Sequence, residues 1–154
     1  MQSLLFVCLG NICRSPLAEG IAKAKVKKMA LDIVVDSAGT GDWHIGEPPC
    51  PNSIKVAKIH GLDISSLQAR QVVQEDFEKF DFIVALDKNN FINLQKMGAK
   101  NLVKLGDYGY DGADVPDPYF FKGFEGFERV YEMLEICINN LFSVEFLYKQ
   151  SYKE

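Results

Sequence analysis

Short apolar runs alternate with helical patterns along this chain, and this alternation limits the fold more than any other feature of the sequence. Short, mainly apolar runs predict strands at residues 4–7, 33–35, 82–86 and 102–105, and the continuous run at 4–7 is typical of a strand buried on both faces. The residues between and after these runs predict helices over 17–29, 53–60, 74–80, 87–97 and 127–141. The sequence therefore predicts an α/β three-layer sandwich, in which a four-stranded parallel sheet is flanked by helices on both faces.

Length and charge limit the classes of function. The 154 residues are enough for an independent core, so we expect a single domain over residues 1–154. The formal net charge of −4 gives no field that would attract nucleic acid or anionic lipid. No apolar run approaches the roughly 20 residues of a membrane-spanning helix. We therefore expect neither nucleic acid nor a membrane as a partner.

The cysteines and histidines are scattered along the chain. They are Cys8, Cys13, Cys50, Cys137, His44 and His60. None of them has the paired spacing that is typical of a structural zinc site, so we expect no metal. A chain of this length does not depend on disulfides for its stability, and we therefore expect a reducing compartment, the cytoplasm.

The loop between the first strand and the first helix has the features of an anion-binding site. It begins at Cys8 and leads to Ser15, a suitable N-cap, and Pro16, which suits the first helical position. Backbone N–H groups at such a helix start bind anions, and Gly10 allows backbone angles that other residues resist. Arg14 offers a planar fork that holds two phosphate oxygens at once. Because the same field stabilises a thiolate, we expect Cys8 to be charged and nucleophilic at neutral pH.

The residues that flank this loop are stronger evidence for a phosphate site than the Cys-x5-Arg pattern itself. Cys-x5-Arg is a weak pattern alone, since a buried cysteine is commonly a small hydrophobic residue. Here a buried strand precedes the pattern, a glycine lies within it, and a Ser-Pro helix start follows it. The sequence contains no G-x-x-x-x-G-K-[ST] motif, which disfavours binding of a nucleoside triphosphate.

Residues 7–16 resemble the signature of the low-molecular-weight protein tyrosine phosphatases. Further matches, in the order found in that family, are Asp36-Ser37-Ala38-Gly39, Asp42-Trp43, His60-Gly61, Ala69-Arg70-Gln71 and Asp117-Pro118-Tyr119. Together they span nearly the whole chain. The resemblance implies hydrolysis of phosphotyrosine and small aryl phosphates through a phosphocysteine on Cys8, with no cofactor.

The resemblance also assigns the catalytic residues, which are Cys8, Arg14 and Asp117. Asp117 lies between two prolines, a pattern that by itself indicates only a turn. In the family it corresponds to the general acid, which then acts as a base in the second of two displacements. Phosphate is expected to bind Arg14 and the loop formed by Leu9, Gly10, Asn11, Ile12, Cys13 and Ser15.

Two aromatic residues are expected to form the walls of the substrate pocket. Trp43 and Tyr119 lie on two long predicted loops, residues 37–51 and 107–123. The resemblance implies that they flank a flat phosphorylated ring, with Ile12 at the floor. A deep apolar slot favours phosphotyrosine over phosphoserine, whose shorter side chain leaves the phosphate out of reach. Relatives that remove phosphate from arginine usually have threonine in place of Ile12, which also favours tyrosine.

Other matching residues are expected to support the loop. The resemblance implies that Asn11, Ser15 and Ser37 hold the loop and the thiolate, although Ser15 can also act as a helix cap. Cys13 resembles the second cysteine of the family, which can form a reversible disulfide with the nucleophile. The alternative is that Cys13 only packs within the loop.

Four further positions bear on the resemblance. Arg70 and His60 match the family and are expected to be supporting residues, structural rather than catalytic. Leu67 stands where many relatives carry a histidine bonded to the loop asparagine, so the sequence leaves open what restrains Asn11. Phe120 stands where a second tyrosine is common, so regulation through a pair of phosphorylated tyrosines is not expected.

The expected partner is a tyrosine-phosphorylated protein or peptide, and the expected state is a monomer or a weak homodimer. Three alternatives remain: a protein-arginine phosphatase, a thioredoxin-linked arsenate reductase and a non-enzymatic cysteine phosphocarrier. The reductase relays a disulfide through two more cysteines near the third strand, and residues 80–97 contain none. The carrier requires neither Arg14 nor Asp117. The sequence therefore favours the tyrosine phosphatase.

Overall fold

In the computed structural model, which describes residues 2–147, the four predicted strands form one parallel sheet. They are β1 (Gln2–Cys8), β2 (Ile33–Gly39), β3 (Phe82–Ala85) and β4 (Leu102–Lys104), arranged in the order β2-β1-β3-β4. The pairing of β1 with β2 continues to their last residues, where Cys8 lies opposite Gly39. The predicted fold class is confirmed.

β1 lies inside the sheet and is buried along most of its length. Leu4, Leu5, Phe6 and Val7 are each 0% exposed. Since successive side chains of a strand point to opposite faces, Leu4 and Phe6 join one core, and Leu5 and Val7 join the other. Full burial of a leucine or phenylalanine side chain contributes about 1.5–3 kcal/mol. Burial on both faces explains why the apolar run is continuous rather than alternating.

Helices cover both faces of the sheet. They are α1 (Arg14–Lys28), α2 (Pro51–Ile59), α3 (Asp76–Lys79), α4 (Lys88–Lys96) and α5 (Glu125–Phe142). α1, α2 and α5 pack against one another over the larger core, to which Leu17, Val56 and Phe127 belong. α3 and α4 contribute Phe77 and Leu94 to the smaller core on the opposite face. The carboxyl end of β1, where Cys8 lies, is therefore held between two layers of helices.

Two boundaries differ from the prediction in ways that affect this edge. α1 begins at Arg14 with Cys13 as its N-cap, so Ser15 lies in the first turn and is not the cap. The Ser15 side chain instead makes a hydrogen-bonding contact with the sulfur of Cys8. β2 extends to Gly39 because its pairing with β1 continues that far, so Ser37 lies in a strand and not in the predicted loop.

The predicted loop over residues 107–123 contains a short ordered turn. The segment Pro118–Phe120 forms one turn of 3-10 helix, with Asp117 as its N-cap. A second 3-10 turn, Leu105–Asp107, follows β4, and a π-helical turn, Ser143–Leu147, follows α5.

Within residues 2–147, no helix has both the length and the apolar composition needed to cross a membrane. These residues also bring together no group of three or more histidine, cysteine, aspartate or glutamate side chains that could hold a metal ion. The predicted domain, residues 1–154, extends beyond the described residues at both ends.

Candidate active site

The loop that follows β1 is held in place by the end of β2. Backbone N–H groups of Thr40 and Gly41 donate to the carbonyls of Cys8 and Leu9, at 3.0 and 2.9 Å. A Cβ atom on Gly39 would lie 2.7 Å from the carbonyl oxygen of Leu9, so only glycine lets the loop approach β2 this closely. The loop therefore takes its position directly from the sheet.

The residue with left-handed backbone geometry in this loop is Asn11, with φ of 58°, and not Gly10. Asparagine adopts this geometry more readily than most residues. The expectation that Gly10 supplies the unusual angles is therefore wrong. A Cβ atom on Gly10 would lie 3.1 Å from Cδ2 of His44, a close contact that a small shift of the histidine side chain would relieve.

The sulfur of Cys8 lies within a set of polar contacts at the base of the loop. It is 2.9 Å from the hydroxyl oxygen of Ser15, and the backbone N–H of Asn11 donates to it at 3.3 Å. The side-chain amide of Asn11 donates to the same Ser15 oxygen at 2.7 Å. Because that oxygen already accepts a hydrogen bond, the Ser15 O–H is free to donate to the sulfur. Both contacts place hydrogen-bond donors against the sulfur, where they can stabilise negative charge that develops during a reaction.

A buried carboxylate extends this set of contacts into α1. Asn11 also donates to the hydroxyl of Ser37 at 2.9 Å, and that hydroxyl donates to Glu19 at 2.6 Å. Glu19 is only 3% exposed and forms an ion pair with Lys23. Sequence reasoning missed Glu19, although an ionisable residue among apolar positions of α1 was a usable signal.

Arg14 is fixed by a partner that the sequence analysis also missed. Its Nη1 donates to Oδ2 of Asp87 at 2.8 Å and to the carbonyl of Val115 at 3.0 Å. Asp87 follows β3 and is the N-cap of α4, where its other oxygen accepts from the backbone of Asn90. Within residues 2–147, neither Nε nor Nη2 of Arg14 has a partner, so both can bind an anion above the loop.

A cleft of about 250 Å³ opens above Cys8. Its lining consists of Cys8, Leu9, Gly10, Ile12, Cys13, Arg14, Trp43, His44, Asp117 and Tyr119. Trp43 and Tyr119 are 68% and 61% exposed, which leaves both rings accessible at the rim of this cleft. The ring of Tyr119 packs edge-on against Phe127, with ring centroids 5.3 Å apart. The structure thus brings together Cys8, Arg14, Asp117 and the three predicted pocket residues.

Asp117 is positioned by the turn that it caps. Its Oδ1 accepts a hydrogen bond from the backbone N–H of Tyr119 at 3.0 Å. Pro118 occupies the first position of the turn, where its fixed φ is favourable. The carboxyl group is exposed and faces the same cleft as Cys8. A carboxyl group across a cleft from a sulfur can exchange a proton with a substrate atom bound between them.

A model of one protein family matches residues 3–153, and its description is "Low molecular weight phosphotyrosine protein phosphatase". The chain belongs to this family. It is 46% identical, over 133 residues, to the low molecular weight protein-tyrosine-phosphatase YfkJ of Bacillus subtilis, covering 81% of this chain and 85% of that protein.

Solved structures resemble the phosphatase along its whole length. A protein tyrosine phosphatase from Entamoeba histolytica superposes with a TM-score of 0.88 at 36% identity, covering 100% of both chains. The Drosophila arginine phosphatase DARP superposes with a TM-score of 0.84 at 34% identity, covering 100% of this chain and 99% of that one.

The phosphatase restrains Asn11 without the histidine that many relatives carry. Oδ1 of Asn11 accepts from the backbone N–H of Arg70 at 3.0 Å. The guanidinium of Arg70 donates two hydrogen bonds to Asp76, each of 3.0 Å, and one of 3.2 Å to Asp36. Burial by itself lowers the pKa of Arg70, but the two carboxylates raise it by more than burial lowers it. The pKa of Arg70 is therefore raised above its usual value. The place of the histidine at Leu67 is therefore taken by the backbone of a segment that Arg70 anchors.

His60 is not brought to the cleft of the phosphatase. It lies at the C-cap of α2, where its ring stacks on Tyr131 of α5 at 3.8 Å. Its Nε2 is also 3.7 Å from a carboxylate oxygen of Glu128. These contacts join α2 to α5, and His60 is not among the residues that line the cleft. The histidine at the cleft is His44, whose Nδ1 contacts a carboxylate oxygen of Glu47 and which the sequence analysis did not single out.

Cys13 is bonded to Cys50, and Cys8 is a free cysteine. The sequence analysis left open whether Cys13 pairs with Cys8 or only packs within the loop, and it did not foresee a bond between Cys13 and Cys50. The two cysteines are 37 residues apart and are brought together by the loop before α2. The backbone N–H of Cys50 donates to the carbonyl of Ile12 at 2.7 Å, and the Ser53 hydroxyl donates to the carbonyl of Cys13 at 3.0 Å. No local pattern in the sequence predicts that Cys13 and Cys50 lie side by side.

Two variants of Asn11 separate its backbone role from its side-chain role. Asn11→Gly adopts the left-handed geometry without strain and loses the three side-chain bonds, whereas Asn11→Ala loses the same bonds and adopts that geometry only with strain. We expect kcat/KM for an aryl phosphate to fall at least tenfold in both variants. Left-handed strain of about 1–2 kcal/mol should further lower the Tm of Asn11→Ala. Asn93→Ala, on the exposed surface of α4, is the control, and parental kcat/KM in Asn11→Gly would contradict the role assigned to the side chain.

Proposed function

We propose that the protein is a protein-tyrosine phosphatase in which Cys8 is the nucleophile, Arg14 binds phosphate and Asp117 is the general acid and base. The observation that carries this proposal is the position of the Cys8 sulfur. It lies at the base of a cleft, contacts Ser15 and the backbone N–H of Asn11, and shares that cleft with Arg14 and Asp117.

In the first step the phosphate ester binds between the free guanidinium nitrogens of Arg14 and the amides of the loop that follows Cys8. The thiolate of Cys8 attacks phosphorus in line with the ester oxygen. A sulfur–phosphorus bond forms and the phosphorus–oxygen bond breaks. Asp117 donates its proton to the departing oxygen, so the product leaves as a neutral phenol.

In the second step the protein reverses these roles. The Asp117 carboxylate takes a proton from a water molecule, whose oxygen attacks phosphorus from the side that the phenol has left. The sulfur–phosphorus bond breaks, inorganic phosphate is released and Cys8 returns as a thiolate. The hydrogen-bond donors at Ser15 and Asn11 stabilise this leaving thiolate, so the same contacts assist both steps.

The walls of the cleft support phosphotyrosine as the substrate group. Trp43 and Tyr119 are exposed at its rim, and Ile12 lies in its lining. A flat ring inserted between these side chains places its phosphate near the loop, whereas the shorter side chain of phosphoserine does not reach as far. The substrate is then a tyrosine-phosphorylated protein or peptide. Because Cys8 must stay a thiolate to react, a reducing compartment such as the cytoplasm suits this activity.

Protein-arginine phosphatase is the second candidate, because the Drosophila arginine phosphatase resembles the chain at 34% identity. The two activities differ in the leaving atom, which is a phenolic oxygen in one and a guanidinium nitrogen in the other. The Ile12 side chain in the cleft favours the apolar tyrosine ring.

A panel of phosphopeptides tests the proposal. We expect kcat/KM for phosphotyrosine peptides to exceed that for matched phosphoserine and phosphoarginine peptides by at least 100-fold, measured as phosphate release without added metal. Cys8→Ser and Arg14→Ala should abolish turnover, because they remove the nucleophile and the phosphate fork. Full activity in Cys8→Ser would refute the mechanism, and a preference for phosphoarginine would reassign the substrate.

Substitution of Asp117 tests the acid. Asp117→Ala and Asp117→Asn should both slow the hydrolysis of an aryl phosphate with a poor leaving group by ~10²–10⁴. For an ester whose leaving group needs no proton, the rate of the cleavage step should fall much less in both variants. Asparagine keeps an oxygen that can accept the hydrogen bond from the backbone N–H of Tyr119. Asp117→Asn therefore removes the acid but preserves the contact that caps the turn. Near-normal rates in Asp117→Asn would mean that Asp117 only caps the turn.

A further inference from the structure

Three cysteines line the cleft or the groove beside it. Cys8 and Cys13 both line the cleft itself. Cys50 lines an adjoining groove, which shares Ile12, His44 and Tyr119 with the cleft. Two of these sulfurs, those of Cys13 and Cys50, are bonded to each other, and the nucleophile is free.

The contact between Cys13 and Cys50 does not depend on the disulfide alone. Cys50 is tied by its backbone N–H to the carbonyl of Ile12, the residue before Cys13. The hydroxyl of Ser53, in the first turn of α2, is bonded to the carbonyl of Cys13 itself. Because these bonds use no sulfur atom, they keep the two cysteines adjacent when both are reduced.

We propose that Cys50 is a resolving cysteine, which returns the nucleophile Cys8 to its thiolate form after oxidation by a hydroperoxide. The proposal rests on the proposed function, in which Cys8 is an ionised and therefore oxidisable nucleophile. Its product is the pairing present in the structure, a Cys13–Cys50 disulfide beside a free Cys8.

The proposed series of reactions starts from the protein with all its cysteines reduced. The thiolate of Cys8 attacks the outer oxygen of the hydroperoxide, the O–O bond breaks and an alcohol or water leaves, so that Cys8 becomes a sulfenic acid. The thiolate of Cys13 then attacks the Cys8 sulfur, and the hydroxyl group leaves as water. The thiolate of Cys50 next attacks the Cys13 sulfur, a Cys13–Cys50 bond forms and Cys8 departs as a thiolate.

Electrons and atoms balance over these three steps. The thiols of Cys13 and Cys50 together lose two electrons and two protons. The hydroperoxide gains them and becomes one molecule of alcohol, or of water, plus one molecule of water. Cys8 ends as it began.

The last exchange is favoured by the surroundings of the leaving sulfur. Cys8 is contacted by Ser15 and by the backbone N–H of Asn11, and a sulfur whose thiolate is stabilised leaves faster. The attacking sulfur belongs to the N-cap of α2, a helix of nine residues, and a helix N-terminus favours a thiolate. Without Cys50, the Cys8–Cys13 disulfide would persist and block the nucleophile.

The fourth cysteine provides a matched control. Cys137 lies on α5, is 0% exposed and belongs to the larger core. Burial raises its pKa to about 11, so it remains a neutral thiol and takes no part in exchange at neutral pH.

The test treats the fully reduced protein with one equivalent of hydrogen peroxide, removes the excess with catalase and measures hydrolysis of an aryl phosphate. Each variant is compared with its own activity before treatment. We expect the parent and Cys137→Ala to keep most of their activity, and Cys50→Ser to lose at least fivefold and recover with dithiothreitol. Peptide mapping without reduction should find Cys13–Cys50 in the parent and Cys8–Cys13 in Cys50→Ser.

The mapping of the parent decides the question even where Cys50→Ser fails to fold. A Cys8–Cys13 disulfide in the oxidised parent, or a sulfinic acid on Cys8, would overturn the proposal. Equal loss of activity in the parent and in Cys50→Ser would overturn it as well. Failure of the proposed function would look different, because the reduced parent would then be inactive before any peroxide is added.

Discussion

The structure of the site depends on the hydrogen bonds that surround the sulfur of Cys8. That sulfur contacts the Ser15 hydroxyl and the Asn11 backbone, and the Asn11 side chain fixes both Ser15 and Ser37. Each bond is worth only about 0.5–1.5 kcal/mol in net stability. Together they aim donors at one atom, the Cys8 sulfur, which in the proposed mechanism is negative before the reaction and negative again after it. Asn11, Ser15 and Ser37 are buried, so no water competes for these donors. Hydrogen bonds in such surroundings are stronger than they would be in water.

The sheet determines where this network lies. The pairing of β1 with β2 brings Cys8 opposite Gly39, and the absence of a side chain at Gly39 lets the loop approach β2. β3 ends beside β1, so the residue that caps the next helix, Asp87, reaches Arg14. Cys8, Arg14 and the residues that hold them thus come from three adjacent strand ends, the edge at which parallel sheets bind ligands.

The parts of this site that lie close together in sequence could be predicted, and the distant contacts could not. Cys8, Arg14 and Ser15 fall within eight residues, so a strand, a loop and a helix start place them with little dependence on the rest of the fold. Asp117 and Trp43 required the resemblance to a family, because their loops alone indicate only turns. Asp87 and Cys50 were missed since their contacts, with Arg14 and Cys13, follow from strand order and from the path of the loop before α2. The left-handed angle was assigned to Gly10 because glycine adopts it most easily, whereas the bonds of Asn11 hold that angle one residue later.

The central claim is that the Cys8 sulfur carries the phosphoryl group during turnover, and Asp117→Ala offers the most direct measurement. With an aryl phosphate whose leaving group needs no proton, this variant should complete the first displacement and stall before the second, which lacks its base. Rapid quenching followed by mass spectrometry should then find phosphate bound to Cys8 in a large fraction of the molecules. Release of the phenol with no phosphate on Cys8 at any quench time, or phosphate on a different residue, would contradict the account.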